Sequence, residues 1–598
     1  MAAASATLSV ACSKSSEVSR VVTLHAPAAC APSAGASAIF SPFGDFQPPA
    51  ATPPSVAIAS TGTPLSGLPL DTLELLANVS DPTGTPWVAH GLVPSAGNLD
   101  LLVLPSGTPC SLTDPTEAVT GAMIGAIDGA HLLIAGGALA AGGVPNTSVI
   151  DLAKGTVTSL PIGLLVPRTE ATITPWSGGA IVAGGVSPSS SNMFAASFEV
   201  YSSASGDFSS GQTYPLSQAR RSHGAAVLSS GKTLLVGGVN QAGQVLSTME
   251  VIDATATPPN AATGGLGALA VPRINPSVMR LASGEILVAG GVDASGQPVS
   301  TLEWFPSNAG PSVRPTAQLV TSTHSAFLPL AAGGALAVIP PPPGTSSPSQ
   351  NVWVISPSGV LEAATPVTDT LTTIALVDGP EQAPALWTGS RWLVWQPWSG
   401  SFAPLSSTAG VAGPSSDPVA TAEPGLAAWL DGTTVHAFRF GTPRGPYAST
   451  PSSSPLLYTD THFTGPDQLV TTGAAGLIQF SSATGLALAY GTSVFLTDAT
   501  FLSFTLDAQT PGGNVPAIVL RDDAGNETLL APPACSIPSG NQIHIVRSGA
   551  TIQMTVDQGG AVTCNTSGLA AGTRVSIGVR GASMSAASVI SQVVVVRT

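Results

Sequence analysis

The chain has 598 residues, 43% of them hydrophobic and only 9% charged, against roughly a quarter charged in an ordinary soluble protein. Its net charge of −15, with only 18 Lys and Arg, excludes a nucleic-acid backbone as partner, because phosphate binding needs clustered cations. The 65 Gly and 54 Pro are spread among short apolar runs with no long helical period, which predicts an all-β chain of many short strands. No uninterrupted apolar run reaches the ~20 residues of a spanning helix. The nearest, "AFLPLAAGGALAVIPPPPG", is broken by glycines and stopped by prolines.

In chain order, residues 1–30 read as a leader. The stretch "LSVACSKSS" around Cys12 resembles a bacterial lipobox, in which small residues precede a cysteine that takes lipid and becomes the mature N-terminus. It departs from that pattern: Leu8 stands four positions before Cys12, Ser9 occupies the place of Leu, and the leader lacks a positive start. Cys12 therefore either carries lipid or stays a lone thiol, and a lipid is the only membrane attachment expected. Residues 31–115 hold short apolar runs between Pro, Gly and Ser turns and predict a small β-sandwich-like domain. Cys30 and Cys110 are expected to tie its first strand to its last.

From about 116 to 450 one phrase recurs. An apolar strand ends in Gly136-Gly137, again in Gly184-Gly185, in Gly237-Gly238 and in Gly290-Gly291, at spacings of 48, 53 and 53 residues. A loop follows each pair, and then, in three of the four, a strand carrying Glu199, Glu250 or Glu303. A strand-built period near 50 is the signature of a propeller blade. The eight glycines read as structural, since glycine admits positive φ and close backbone approach at a corner. "SSGKT" at 229–233 is not a phosphate loop, because Ala226 stands where its first glycine belongs and a strand follows.

The Gly-Gly after an apolar strand, the Arg-x-x-His opening of "RRSHGAAVLSSGKTLLVGG", and "FEVYSSASGDF" resemble kelch repeats in divergent form. The phrasing persists with Ile339-Pro340, Trp395-Gln396 and Phe438-Arg439 in the place of Gly-Gly. The resemblance implies a seven-bladed kelch-like β-propeller over 116–450. Residues 451–459 read as a linker. From 460 to 598, long alternating strands look like a concanavalin-like or laminin-G-like jelly roll, with a second expected bridge between Cys535 and Cys564. Two bridges imply an oxidising compartment, so the expected location is extracytoplasmic, as an envelope lipoprotein or a secreted protein.

No G-x-S-x-G elbow, H-E-x-x-H helix or metal-spaced His pair is present, and neither a metal nor another cofactor is expected. A copper oxidase on such a propeller would need a tyrosine-linked cysteine, and 116–450 contains no cysteine. Acidic residues of the last domain form no closely alternating array of the kind glycoside hydrolysis demands. One constellation remains. Arg168, Arg220 and Arg273 open successive repeats, with His223 and His324 near the same turn. They form either an anion-binding site at a channel mouth or a structural set paired with the recurrent Glu, and fixed recurrence favours structure. The function expected from sequence is a monomeric, non-enzymatic binding protein contacting an unidentified protein or carbohydrate. The alternative is a carbohydrate-active enzyme whose acids converge only in three dimensions.

Overall fold

A computed structural model describes residues 17–440 apart from a set of loop residues, and places only strand backbones from 457 to 597. The chain is all-β, with a single three-residue 3-10 turn, Ala28–Cys30, among the described residues. Short apolar runs punctuated by Gly and Pro cannot sustain helices, and they form many antiparallel strands instead.

The N-terminal part packs two sheets face to face. One has the strands Thr63–Pro69, Glu17–His25 and Leu99–Leu102 in that order. The other orders Val56–Ala57, Ser37–Gly44, Thr72–Ser80, Pro86–Leu92 and Leu104–Pro105. Val22, Phe40, Leu75, Trp87 and Leu101 fill the space between them. The first strand begins at Glu17, inside the stretch read from sequence as leader.

Seven four-stranded antiparallel sheets follow, each with its strands in chain order except the last. Their first strands are Met123–Ala126, Thr172–Trp176, Gly224–Val227, Ser277–Arg280, Ala326–Pro329, Ala375–Asp378 and Val419–Ala420. Each first strand lies against that of the next sheet, and the seventh lies against the first. The second strands Gly179–Ala183, Thr233–Val236, Ile286–Ala289, Ala335–Val338 and Pro384–Trp387 are buried at every residue. That is why they read as continuous apolar runs rather than alternating ones.

The seventh sheet takes its outer strand from far upstream. Cys110–Leu112 pairs antiparallel with Thr434–Arg439, Leu112 opposite Val435 and Cys110 opposite Ala437. Cys110 is disulfide-bonded to Cys30. The bridge therefore joins the N-terminal sheets to the seven-sheet part, not the first strand of one small domain to its last. Leu102, Leu104, Cys110 and Leu112 share one core with Leu132, Ile134, Leu426 and Val435. A pairing across 325 residues, such as Ser111 with His436, leaves no mark on local sequence.

Two further assignments differ from the sequence reading. Trp395-Gln396 and Phe438-Arg439 end the third strands of their sheets, Trp392–Gln396 and Thr434–Arg439, not the second. Without Gly-Gly, one strand–turn–strand phrase looks like another. Beyond residue 457 the strands form a five-stranded and a seven-stranded sheet. Cys12, Cys535 and the side chain of Cys564 lie outside the described residues, so the lipid and the second bridge do too. Among the described residues no helix is long and apolar enough to cross a membrane.

Candidate functional site: the rim of the repeat corners

The three arginines are wholly buried. Arg168 gives its guanidinium to the carbonyls of Gly184 and Ser197 and to Glu199. Arg220 does the same with Gly237, Thr248 and Glu250, and Arg273 with Gly290, Thr301 and Glu303. Each Glu also accepts from backbone N–H groups of the segment entering its sheet, Leu165 and Val166 for Glu199, Ser217 for Glu250, Ala270 and Val271 for Glu303. Burial pushes all three guanidinium pKa values down, and the paired carboxylates oppose it. These cations are fully buried and spent inside the repeat.

The glycine pairs complete the stitch. The N–H of Gly185 donates to the Arg220 carbonyl at 2.8 Å, as Gly137 does to Arg168 and Gly238 to Arg273. At Gly184, with φ of +64°, a Cβ would lie 2.5 Å from the Arg220 carbonyl oxygen, so only glycine lets the two backbones meet. The repeat thus links the end of one sheet's second strand to the entry of the next sheet. His223 is buried beside this corner, its Nε2 3.0 Å from the Thr172 hydroxyl. Burial, with Arg220 nearby, holds its pKa down at about 3. His324 is exposed, with Nδ1 2.9 Å from the Thr323 hydroxyl. The structure thus brings His223 to Arg220 but leaves His324 apart from them.

Sequence reasoning passed over the residues just beyond each arginine. Glu170, Ser222 and Asn275 stand two positions after Arg168, Arg220 and Arg273, and all three have positive φ, 54°, 50° and 50°. Ser222 N–H donates to the Glu170 carbonyl at 3.0 Å, and Asn275 N–H to the Ser222 carbonyl at 2.8 Å. The three corners therefore form a hydrogen-bonded row crossing from one sheet to the next. Arg221 chelates the Glu170 carboxylate at 2.9 and 3.0 Å and lies over the Phe194 ring at 5.1 Å. The Ser222 hydroxyl also donates to Glu170, and Gln241 accepts from the Phe194 N–H at 2.7 Å. Glu170 and Asn275 are exposed, Arg221 and Ser222 half-buried. The only sequence signal was the fixed offset from the arginine.

Antiparallel order puts the connection after the second strand at the same end of a sheet as the entry to the next sheet. Met193, 59% exposed, follows a second strand, and Leu165 and Val320 sit on entries. Exposed apolar residues therefore share this end with the polar row. Among the described residues no three His, Cys, Asp or Glu side chains gather as a metal site would require.

No family model matches the chain, and no curated protein matches it. Among solved structures it is similar to YjhT, with 11% identity over 49% of this chain and 95% of that one, at a TM-score of 0.32. It is also similar to a fungal alcohol oxidase in complex with copper, with 14% identity over 79% of this chain and 98% of that one, at a TM-score of 0.42. Likenesses at this level carry no residue-level argument. The second still corrects one expectation: a protein matched along most of this chain is an enzyme, so the lack of a linear catalytic motif does not make this chain a non-enzyme.

Proposed function

We propose that the seven sheets are the blades of a divergent kelch-like β-propeller in an exported recognition protein, flanked by a β-sandwich-like domain and a concanavalin-like jelly roll. Its contact face for a protein or glycan partner is the end that carries the repeat corners. The succession of first strands, with the seventh beside the first, supports the propeller. The Cys30–Cys110 bridge supports an oxidising compartment. The observation that carries recognition is the fixed cluster of exposed Glu170 and Asn275 with half-buried Arg221 and Ser222, at the end of the sheets that also carries exposed Leu165, Met193 and Val320.

The test is a glycan array and a purified-partner screen with the full chain and with a Leu165→Ser, Met193→Ser, Val320→Ser variant. Loss of at least tenfold in affinity is expected. Undiminished binding by the variant would move the contact face elsewhere. A carbohydrate-active enzyme is the second reading, since Glu170 is an exposed carboxylate held in place by three hydrogen bonds. Such an enzyme needs a second carboxylate about 5–9.5 Å away. Oligosaccharide hydrolysis by the full chain, abolished by Glu170→Gln, would establish it.

A further inference from the structure

We infer that the row Glu170–Ser222–Asn275 binds a neutral, polyhydroxylated ligand, a glycan segment of about two sugar rings. The inference rests on the recognition reading above and names the ligand class of that face. It begins with a conformational oddity. Among the described residues only four that are not glycine have positive φ, and three of them occupy this one repeat position. Left-handed backbone disfavours any residue with a Cβ, and glycine would relieve it without loss of a backbone bond. The chain uses 65 glycines and places four pairs of them one corner away. Here it keeps a carboxylate, a hydroxyl and an amide instead. Side chains retained against backbone strain point to a use for the side chains.

Charge and spacing then select the ligand. The cation at the row, Arg221, is chelated by Glu170, and Arg168, Arg220 and Arg273 are buried with their own carboxylates. Among the described residues these cations leave no spare positive charge at the row for an anion. Positions joined by backbone hydrogen bonds lie about 5 Å apart, so the three side chains span roughly 10 Å, the length of about two pyranose rings. Carboxylate, hydroxyl and amide together accept from and donate to sugar hydroxyls. A peptide would instead ask for a free strand edge, and none of the three residues lies in a strand.

The experiment uses the full chain against neutral hexose and N-acetylhexosamine oligomers of two to six units, with uronic-acid and sialylated oligomers as the charged arm. Calorimetry follows on the best binder, for the wild type, Asn275→Gly and Ser222→Gly. We expect neutral oligomers to bind and each glycine variant to lose at least tenfold in affinity. Both variants should keep the melting temperature within about 3 °C, because glycine suits positive φ. Preference for the charged arm, or full affinity in both glycine variants, overturns the inference and leaves the recognition reading standing. Binding of a protein partner with no oligomer bound overturns it likewise. Binding of nothing by the wild type overturns both.

Discussion

The second to fourth sheets and the fifth to seventh are all four-stranded and antiparallel but are held by different chemistry. In the former, each entry segment is anchored by a buried Arg–Glu pair that saturates its backbone. In the fifth sheet the buried Asn351 uses a neutral amide to hold the segment that leads on into the sixth, accepting from the Val367 N–H and donating to its carbonyl, both at 2.8 Å. In the sixth and seventh, aromatic packing takes over: Trp392 stacks on Phe438 at 5.7 Å and meets Phe440 edge-on at 4.8 Å, with Trp387 and Trp429 in the same core. The topology therefore does not require the ion pair. It requires only that the buried backbone of the entry segment be satisfied and the wedge between sheets be filled.

The comparison breaks most visibly at the ion pair. Arg220→Ala or Glu250→Ala should cost about 3–5 kcal/mol, because the remaining charge stays buried. Arg220→Met combined with Glu250→Leu should recover most of that loss. Trp392→Ala should cost a similar 3–5 kcal/mol through the cavity it leaves, with no second substitution at Glu250 or Arg220 restoring it. Urea denaturation followed by tryptophan fluorescence measures all of these. A loss under about 1 kcal/mol for both single charge variants would show that the stitch contributes little.

The glycine corners mark the boundary between the two halves. At Gly237, φ +66°, a Cβ would meet the Arg273 carbonyl oxygen at 2.7 Å, whereas at Gly290 it would meet the Phe327 ring edge at 2.9 Å. A ring can swing and a backbone carbonyl held in a stitch cannot. Gly237→Ala should thus cost about 2–3 kcal/mol and Gly290→Ala about 1–2, read as the difference in thermal midpoint. Equal losses would erase the distinction.

Acid should strain the first half more than the second. The His223 pKa is depressed to about 3, so the unfolded chain takes up a proton near pH 6.5 that the folded chain refuses. Its contribution is complete above that pH and is lost as pH falls toward 3. Between pH 6.5 and 5 this amounts to about 2 kcal/mol, and His223→Gln should flatten that slope. His436, stacked on Trp429 in the seventh sheet, is lowered by burial too but is only partly buried, so His436→Gln should change the slope less. Stability measured across pH 5–7 in the three proteins decides.

Much of this was legible before any coordinates. The Gly-Gly period marks the second strands of four sheets, and at three of them a stitched corner admits only glycine. The Arg and Glu at fixed offsets from it are legible as partners for the same reason. In the sixth and seventh sheets the register slipped by one strand, because tryptophan-rich strands fill the same space without a fixed marker. The rim residues were missed because Glu170, Ser222 and Asn275 share no residue type. What they share is a backbone angle, and that is invisible in a list of side chains.

Composition and period, which express local backbone geometry repeated along the chain, determined that the protein is all-β and where its repeating corners fall. Only the tertiary structure decided that Cys110–Leu112 completes the last of the seven sheets and that Cys30 fastens it there. It alone put the buried arginines out of a ligand's reach and raised Glu170, Ser222 and Asn275 into one row. These are pairings between residues about thirty to more than three hundred positions apart. Their energies come from hydrogen bonds and shared burial in the folded chain, and neighbours in sequence carry no trace of them.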